Sequence, residues 1–295
     1  MSSSLLRTIS ALPVQSDDRE KHARLQRRIQ RYGWDRAADD YEQAWKNQLE
    51  PAQSRMLAFA EICSADHVLD IACGTGLVTF RVAQMVGSTG SVVGIDLSGE
   101  MVERARRRAL ERGMANVSFE RSGAEALPLA DGSYDVVLNA LGLMYVPDST
   151  SAIAEMYRTL KIGGTAAAAV WGRREKCGWS AIFSIVDLRV KTEVCPLFFQ
   201  LGTSDSLKKH FERAGFKALK AERIEATLEY ASPTEALVAA FAGGPVALAY
   251  SRFDVATRDQ AHAEYLQSIS GFQGADGRYG IPGEFVVISG EKHAP

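Results

Sequence analysis

VLDIACGTG (68–76) is the stretch that decides the fold. A short apolar run carries one acid, Asp70, and leads into Gly74 and Gly76, where the backbone can turn tightly with no Cβ in the way. An apolar segment follows through about Val86 and reads as a helix. A buried strand, a glycine turn and a helix in that order bring backbone groups and a helix start against a ligand. SVVGID (91–96) reads as the neighbouring strand and ends in Asp96, 20 residues beyond Gly76. An acid there can accept hydrogen bonds from both hydroxyls of a ribose. The two features place a nucleoside at the carboxyl edge of a parallel sheet.

The pattern continues on both sides. HVLDIA (67–72), SVVGID, NVSFER (116–121), YDVVLNA (134–140) and the wholly apolar TAAAAVW (165–171) read as strands. Between them lie amphipathic helices. One can be capped by Ser98, carries Met101, Val102, Ala105 and Ala109 on one side, and stops at Gly113; another spaces Ile153, Met156, Tyr157 and Leu160 at i, i+3, i+4 and i+7 and ends at KIGG (161–164). SLKKHFERAGF (206–216) reads as a helix, and strands are expected at about 217–229 and 284–292. Strands alternating with helices give an α/β, doubly wound, mostly parallel sheet. The organisation expected is an N-terminal helical cap segment over 1–50 and a main domain over 51–295, with helical inserts at about 172–203 and 232–270 completing the cap. The charge-rich run 17–31 reads as a solvated helix face.

Two ligand classes suit the glycine turn. A dinucleotide site wants GxGxxG, but the string here is GTGLVT, with Thr79 at the third glycine position. S-adenosylmethionine (SAM) carries no phosphate and bears an ammonium, which an acid ahead of the glycines suits. The residues favour SAM. DxACGTG, followed by GIDLS, GAEALP, DGSYDVV, LMYVPD and LKIGG, resembles the ubiquinone/menaquinone-biosynthesis-type C-methyltransferases and their small-molecule relatives, over roughly residues 34–171. The resemblance implies the class I, Rossmann-like methyltransferase fold: seven strands with the last antiparallel, SAM as cofactor and S-adenosylhomocysteine as product. It implies Asp70 near the methionine end of SAM, Ala72, Gly74 and Gly76 at the bend, Asp96 on the ribose, and Leu97 and Met101 beside the adenine. It also implies Ala124 and Glu125 in the segment passing the adenine amino group, and Asn139 near the sulfonium. Gly123 stands where relatives commonly have Asp.

Composition narrows the class. With 46% hydrophobic and 24% charged residues the chain reads as globular, and a net charge of −2 gives no drive toward nucleic acid. No apolar run approaches the ~20 residues of a membrane span, and MSSSLLRTIS (1–10) has no sustained hydrophobic stretch of the secretory kind. Four scattered cysteines and five single histidines form no metal pattern, and the expectation is a cytoplasmic, metal-free enzyme of small-molecule biosynthesis. Cys73, His210 and His262 read as packing residues. Tyr145, Trp171 and Tyr41 are the candidates for contact with the acceptor. No residue stands out as a base, and the sequence leaves the acceptor atom open among C, O and N. The competing readings are an NAD(P)-linked oxidoreductase and a SAM-binding regulator without transfer activity.

Overall fold

The computed structural model describes residues 16–294. Residues 1–15 of the expected cap segment, including MSSSLLRTIS, lie outside the described residues. Two helices, α1 (Ser16–Ala37) and α2 (Tyr41–Ala60), precede a seven-stranded sheet. The strands are β1 (His67–Ile71), β2 (Ser91–Asp96), β3 (Val117–Arg121), β4 (Tyr134–Ala140), β5 (Leu160–Trp171), β6 (Lys217–Tyr230) and β7 (Tyr279–Glu291). Their spatial order is β3-β2-β1-β4-β5-β7-β6, and β7 runs antiparallel to both neighbours. The crossovers are α3 (Leu77–Val86), α4 (Gly99–Glu111) and α5 (Ser149–Thr159), and α7 (Ser206–Ala214) precedes β6. The strand order reverses between β1 and β4, whose following loops diverge and open a crevice at the carboxyl edge.

Local chemistry explains the elements. The Ser98 side chain accepts from the Met101 N–H, and α4 turns Met101, Val102, Ala105 and Ala109 into the protein. Asp148 caps α5 in the same way through the Ser151 N–H, and Ile153 and Met156 are fully buried. KIGG does not end the helix as a loop: Lys161–Gly164 belongs to β5, which begins at Leu160 straight after α5. Gly163, at φ 83°, supplies the local bend. The last strand starts at Tyr279, earlier than the sequence pattern gives. Gly280, Pro282 and Gly283 lie within it: β5 stops pairing at Trp171↔Phe285, so Pro282 forfeits no hydrogen bond on that side.

The first insert contains α6 (Ala181–Asp187). The second contains α8 (Pro233–Leu237), a π-turn over Val238–Ala242, α9 (Ala247–Tyr250) and α10 (Val255–Ile269). Glu284, almost fully buried on β7, fastens the first insert: Arg173 donates to it through its backbone N–H and guanidinium, and Arg223 donates from β6. Burial would push this carboxyl up, but the Arg173 hydrogen bonds and the two cationic charges hold it down at about 2. α1 lies across the carboxyl edge against α4 and α9. Its charged run is not purely solvated, because Gln26 and Gln30 are buried and Arg27 is half-buried.

Candidate active site

The turn after β1 and the turn after β4 meet at the switch point. Gly74 (φ 55°) and Gly76 (φ 89°) take left-handed conformations, and so do two non-glycine residues, Ala72 (φ 58°) and Leu141 (φ 64°). Such backbones in Ala and Leu are held only where surrounding structure fixes them, and here both residues line one cavity. Gly142 shows how closely the turns approach: a Cβ on it would stand 2.4 Å from the Ala72 Cβ. Asn139 fixes the second turn, its Oδ1 accepting from the Gly142 and Leu143 N–H groups at 2.9 Å each.

The cavity measures about 800 Å³ with its open mouth, within the range of small-molecule sites. Of the residues named from sequence it is lined by Ala72, Gly74, Asp96, Leu97, Met101, Ala124 and Glu125, with Tyr41 and Tyr145. Asp96 ties β2 to the glycine turn: Oδ2 accepts from the Gly74 N–H and Oδ1 from the Ser98 N–H, both at 2.8 Å. Each oxygen keeps a second lone pair for a ligand. Burial raises this carboxyl to about 6, against the two backbone bonds.

Asp70, Gly76 and Asn139 stand behind the cavity wall. Asp70 is fully buried; Oδ2 accepts from the Thr79 hydroxyl at 2.6 Å, while Oδ1 has no partner among the described residues. Burial pushes it from 3.8 to about 7 against the Thr79 bond, and the Asp96 charge adds to the push. Thr79, which breaks the dinucleotide pattern, therefore serves this acid. Asn139 Nδ2 is likewise buried and unpartnered. Gly76 is required for a different reason than ligand approach. A Cβ there would meet the Phe80 ring at 2.6 Å.

A second chamber of about 590 Å³ adjoins the first, and the two share Trp34, Tyr41, Leu141 and Tyr145. Trp171 belongs to this chamber alone, packed edge-on with Trp45 and Trp179 at centroid distances of 6.1 and 4.7 Å. Both inserts contribute wall, through Ile182 and Phe183 and through Ala239, Ala240 and Gly244–Val246. No Asp, Glu, Lys, Arg or His lines it among the described residues. The Trp179 Nε1–H is buried without a partner among the described residues. Burial pushes the Tyr41 and Tyr145 hydroxyls far above their ordinary range, so both stay neutral. Cys73, His210 and His262 line neither cavity. Among the described residues no cluster of His, Cys, Asp and Glu could hold a metal ion, and no helix is long and apolar enough to cross a membrane.

The sequence pattern predicts a helical cap over 1–50 but picks out none of the wall residues on α1. Arg27, Gln30 and Trp34 form the outer wall of the first cavity. Arg27 pairs with Glu125, whose Oε1 also accepts from the Asp148 N–H at 2.9 Å. Asp35 accepts from the Ser98 hydroxyl at 2.6 Å, tying the helix to α4. The only sequence signal was the spacing of Gln30 and Trp34 within a polar run.

Residues 62–176 match a family described as a methyltransferase domain. The chain is 31% identical over 193 residues to the ubiquinone/menaquinone biosynthesis C-methyltransferase UbiE of Xanthomonas campestris, covering 63% of this chain and 76% of that one. It is 34% identical over 131 residues to the aklanonic acid methyltransferase DauC of a Streptomyces species, covering 44% and 60%. In fold it resembles the Haemonchus contortus phosphoethanolamine N-methyltransferase 2 solved with SAM, with a TM-score of 0.58 at 17% identity, over 88% of this chain and 57% of that one. The NAD(P)-linked reading gives way to these findings. The chain belongs to the UbiE family within the class I SAM-dependent methyltransferases, and is an enzyme that methylates a small-molecule acceptor.

Proposed function

We propose that the first cavity holds SAM, that the second holds an uncharged, oxygen-bearing aromatic acceptor, and that the methyl passes between them at the shared wall of Trp34, Tyr41, Leu141 and Tyr145. The observation that carries this reading is the pair of adjoining cavities, one edged by acids and the other aromatic and free of charge.

The donors present fit the cofactor. Asp96 offers two free acceptor sites to a ribose diol. With the ribose at β2, the strand order β3-β2-β1 sets the base toward the 122–125 segment beyond β3 and the methionine tail toward β1. There Asp70 has an unpartnered buried oxygen, and an ammonium nearby would favour its charged form. Leu97 and Met101 give the base an apolar flank. Gly76, at the start of α3, does not line the cavity, so no bare helix end is offered to a pyrophosphate.

Bound SAM supplies an activated methyl group on a sulfonium and leaves as S-adenosylhomocysteine. The protein's part is to align the acceptor and exclude water. Among the described residues none lining the chamber can take a proton near neutral pH, so the acceptor must be nucleophilic on arrival, and the proton its O–H or ring C–H gives up on methylation passes to solvent water. The Trp179 N–H and the tyrosine hydroxyls can donate to its oxygens. The quinones in the UbiE relative's name are of this uncharged, oxygen-bearing kind, whereas the DauC relative's name is of an acid. The helical segment within 1–50 and the two inserts act as the cap. The free cysteines suit a reducing cytoplasm.

The test is a radiometric screen with methyl-labelled SAM against neutral hydroxylated aromatics, with carboxylate-bearing and cationic analogues alongside. Transfer is expected to the neutral set. Efficient transfer to a charged acceptor in preference to its neutral analogue would overturn the acceptor class.

A further inference from the structure

We propose that Gln30, on α1, reads the 6-amino group of the adenine and so makes the N-terminal helix part of the cofactor's specificity. The proposal rests on the placement of SAM given above.

Gln30 is 3% exposed and lines the first cavity but not the second. Its Nε2 donates to the Val194 carbonyl at 2.7 Å, which settles which way the amide points, since the flipped amide would set two oxygens together. Oε1 is then the end without a partner among the described residues. A buried amide oxygen at a ligand cavity costs free energy until a donor meets it. SAM has three kinds of N–H or O–H donor: the ammonium, the ribose hydroxyls and the 6-amino group. Asp70 and Asp96 answer the first two.

Position agrees with the third. Arg27 lies one turn before Gln30 on the same face of α1 and pairs with Glu125 in the segment beyond β3. Within that segment Gly123 has no side chain, and the Glu125 carboxylate is taken up by Arg27 and the Asp148 N–H. The amide oxygen of Gln30 is the free side-chain acceptor that α1 brings to this end of the cavity.

Calorimetric titration of the full chain with S-adenosylhomocysteine and with S-inosylhomocysteine tests this, because inosine carries a carbonyl oxygen in place of the amino group. Wild type is expected to prefer the adenosyl ligand by about 30-fold, as two acceptors would face each other in the inosyl complex. Gln30→Met should cut the preference to about threefold, chiefly by weakening adenosyl binding. Thermal melting checks that the variant folds. Binding of both ligands by wild type with no preference, or a preference that survives Gln30→Met, overturns the role of Gln30 alone. Failure of wild type to bind S-adenosylhomocysteine overturns the cofactor placement and this inference with it.

Discussion

Replacing Asp70 with asparagine should stabilise the ligand-free protein above neutral pH while weakening its hold on SAM. The acid is fully buried and is pushed from 3.8 to about 7. A carboxyl raised in this way adds stability that is complete below its unfolded value and is lost as pH rises through about 7. At about pH 8 the ionised group opposes folding by about 4 kcal/mol, and at about pH 5 by under ~2 kcal/mol. Asparagine keeps the Thr79 bond through its carbonyl oxygen and sets an unpaired amide where Oδ1 stands, at a cost of about 1–3 kcal/mol. The net gain is then about 1–3 kcal/mol at about pH 8, or roughly 3–8 °C in Tm, and the variant should lose about 2–3 kcal/mol of that advantage by about pH 5. SAM affinity should fall by about tenfold or more, the worth of one charged hydrogen bond. Thermal melting at the two pH values, with and without SAM, measures both effects. An equal change in Tm at both pH values would refute the electrostatic argument, and undiminished affinity would remove Asp70 from the site.

The two glycines of the motif should separate. Gly76→Ala, at φ 89° against Phe80, is expected to cost about 2–3 kcal/mol in denaturant unfolding with little change in SAM affinity per folded molecule. Gly74→Ala has room beside Tyr41 and should cost only about 1–2 kcal/mol, yet it should reduce binding because it lines the cavity; the reverse ranking would contradict the geometry. Gly142→Ala forces the β1 and β4 turns apart and should cost about 1–3 kcal/mol and most SAM binding, measured by melting and calorimetry. Glu284→Gln should lower Tm by a few degrees near neutral pH. Since the depressed carboxyl gives stability above its unfolded value and loses it as pH falls through about 2, the gap to wild type should close in acid, and SAM affinity should not change.

Sequence alone determined the frame of the SAM-binding half. β2 and β4 run over the residues their apolar patterns mark, and Ser98 caps α4, because strand runs, caps and glycine turns are set by near neighbours. Asp96 was legible for the same reason: its distance from the glycine turn is a property of one β-α-β unit. The chain also held a misleading local signal in KIGG, where the Gly163 N–H donates to the distant Lys292 carbonyl and the Lys292 N–H to the Gly164 carbonyl, so pairing along the sheet overrides turn chemistry. The tertiary structure decided the rest. Trp45, Trp171, Trp179, Tyr230 and Tyr265 are scattered along the chain and form one chamber only because the sheet brings their segments to one edge. Gln30 and Trp34 sit in a helix whose polar pattern matches a solvated face, and they become cavity wall because α1 packs on α4 and α9. The unpaired oxygens of Asp70 and Gln30 are results of burial, and burial depends on what distant segments cover, which no local pattern carries.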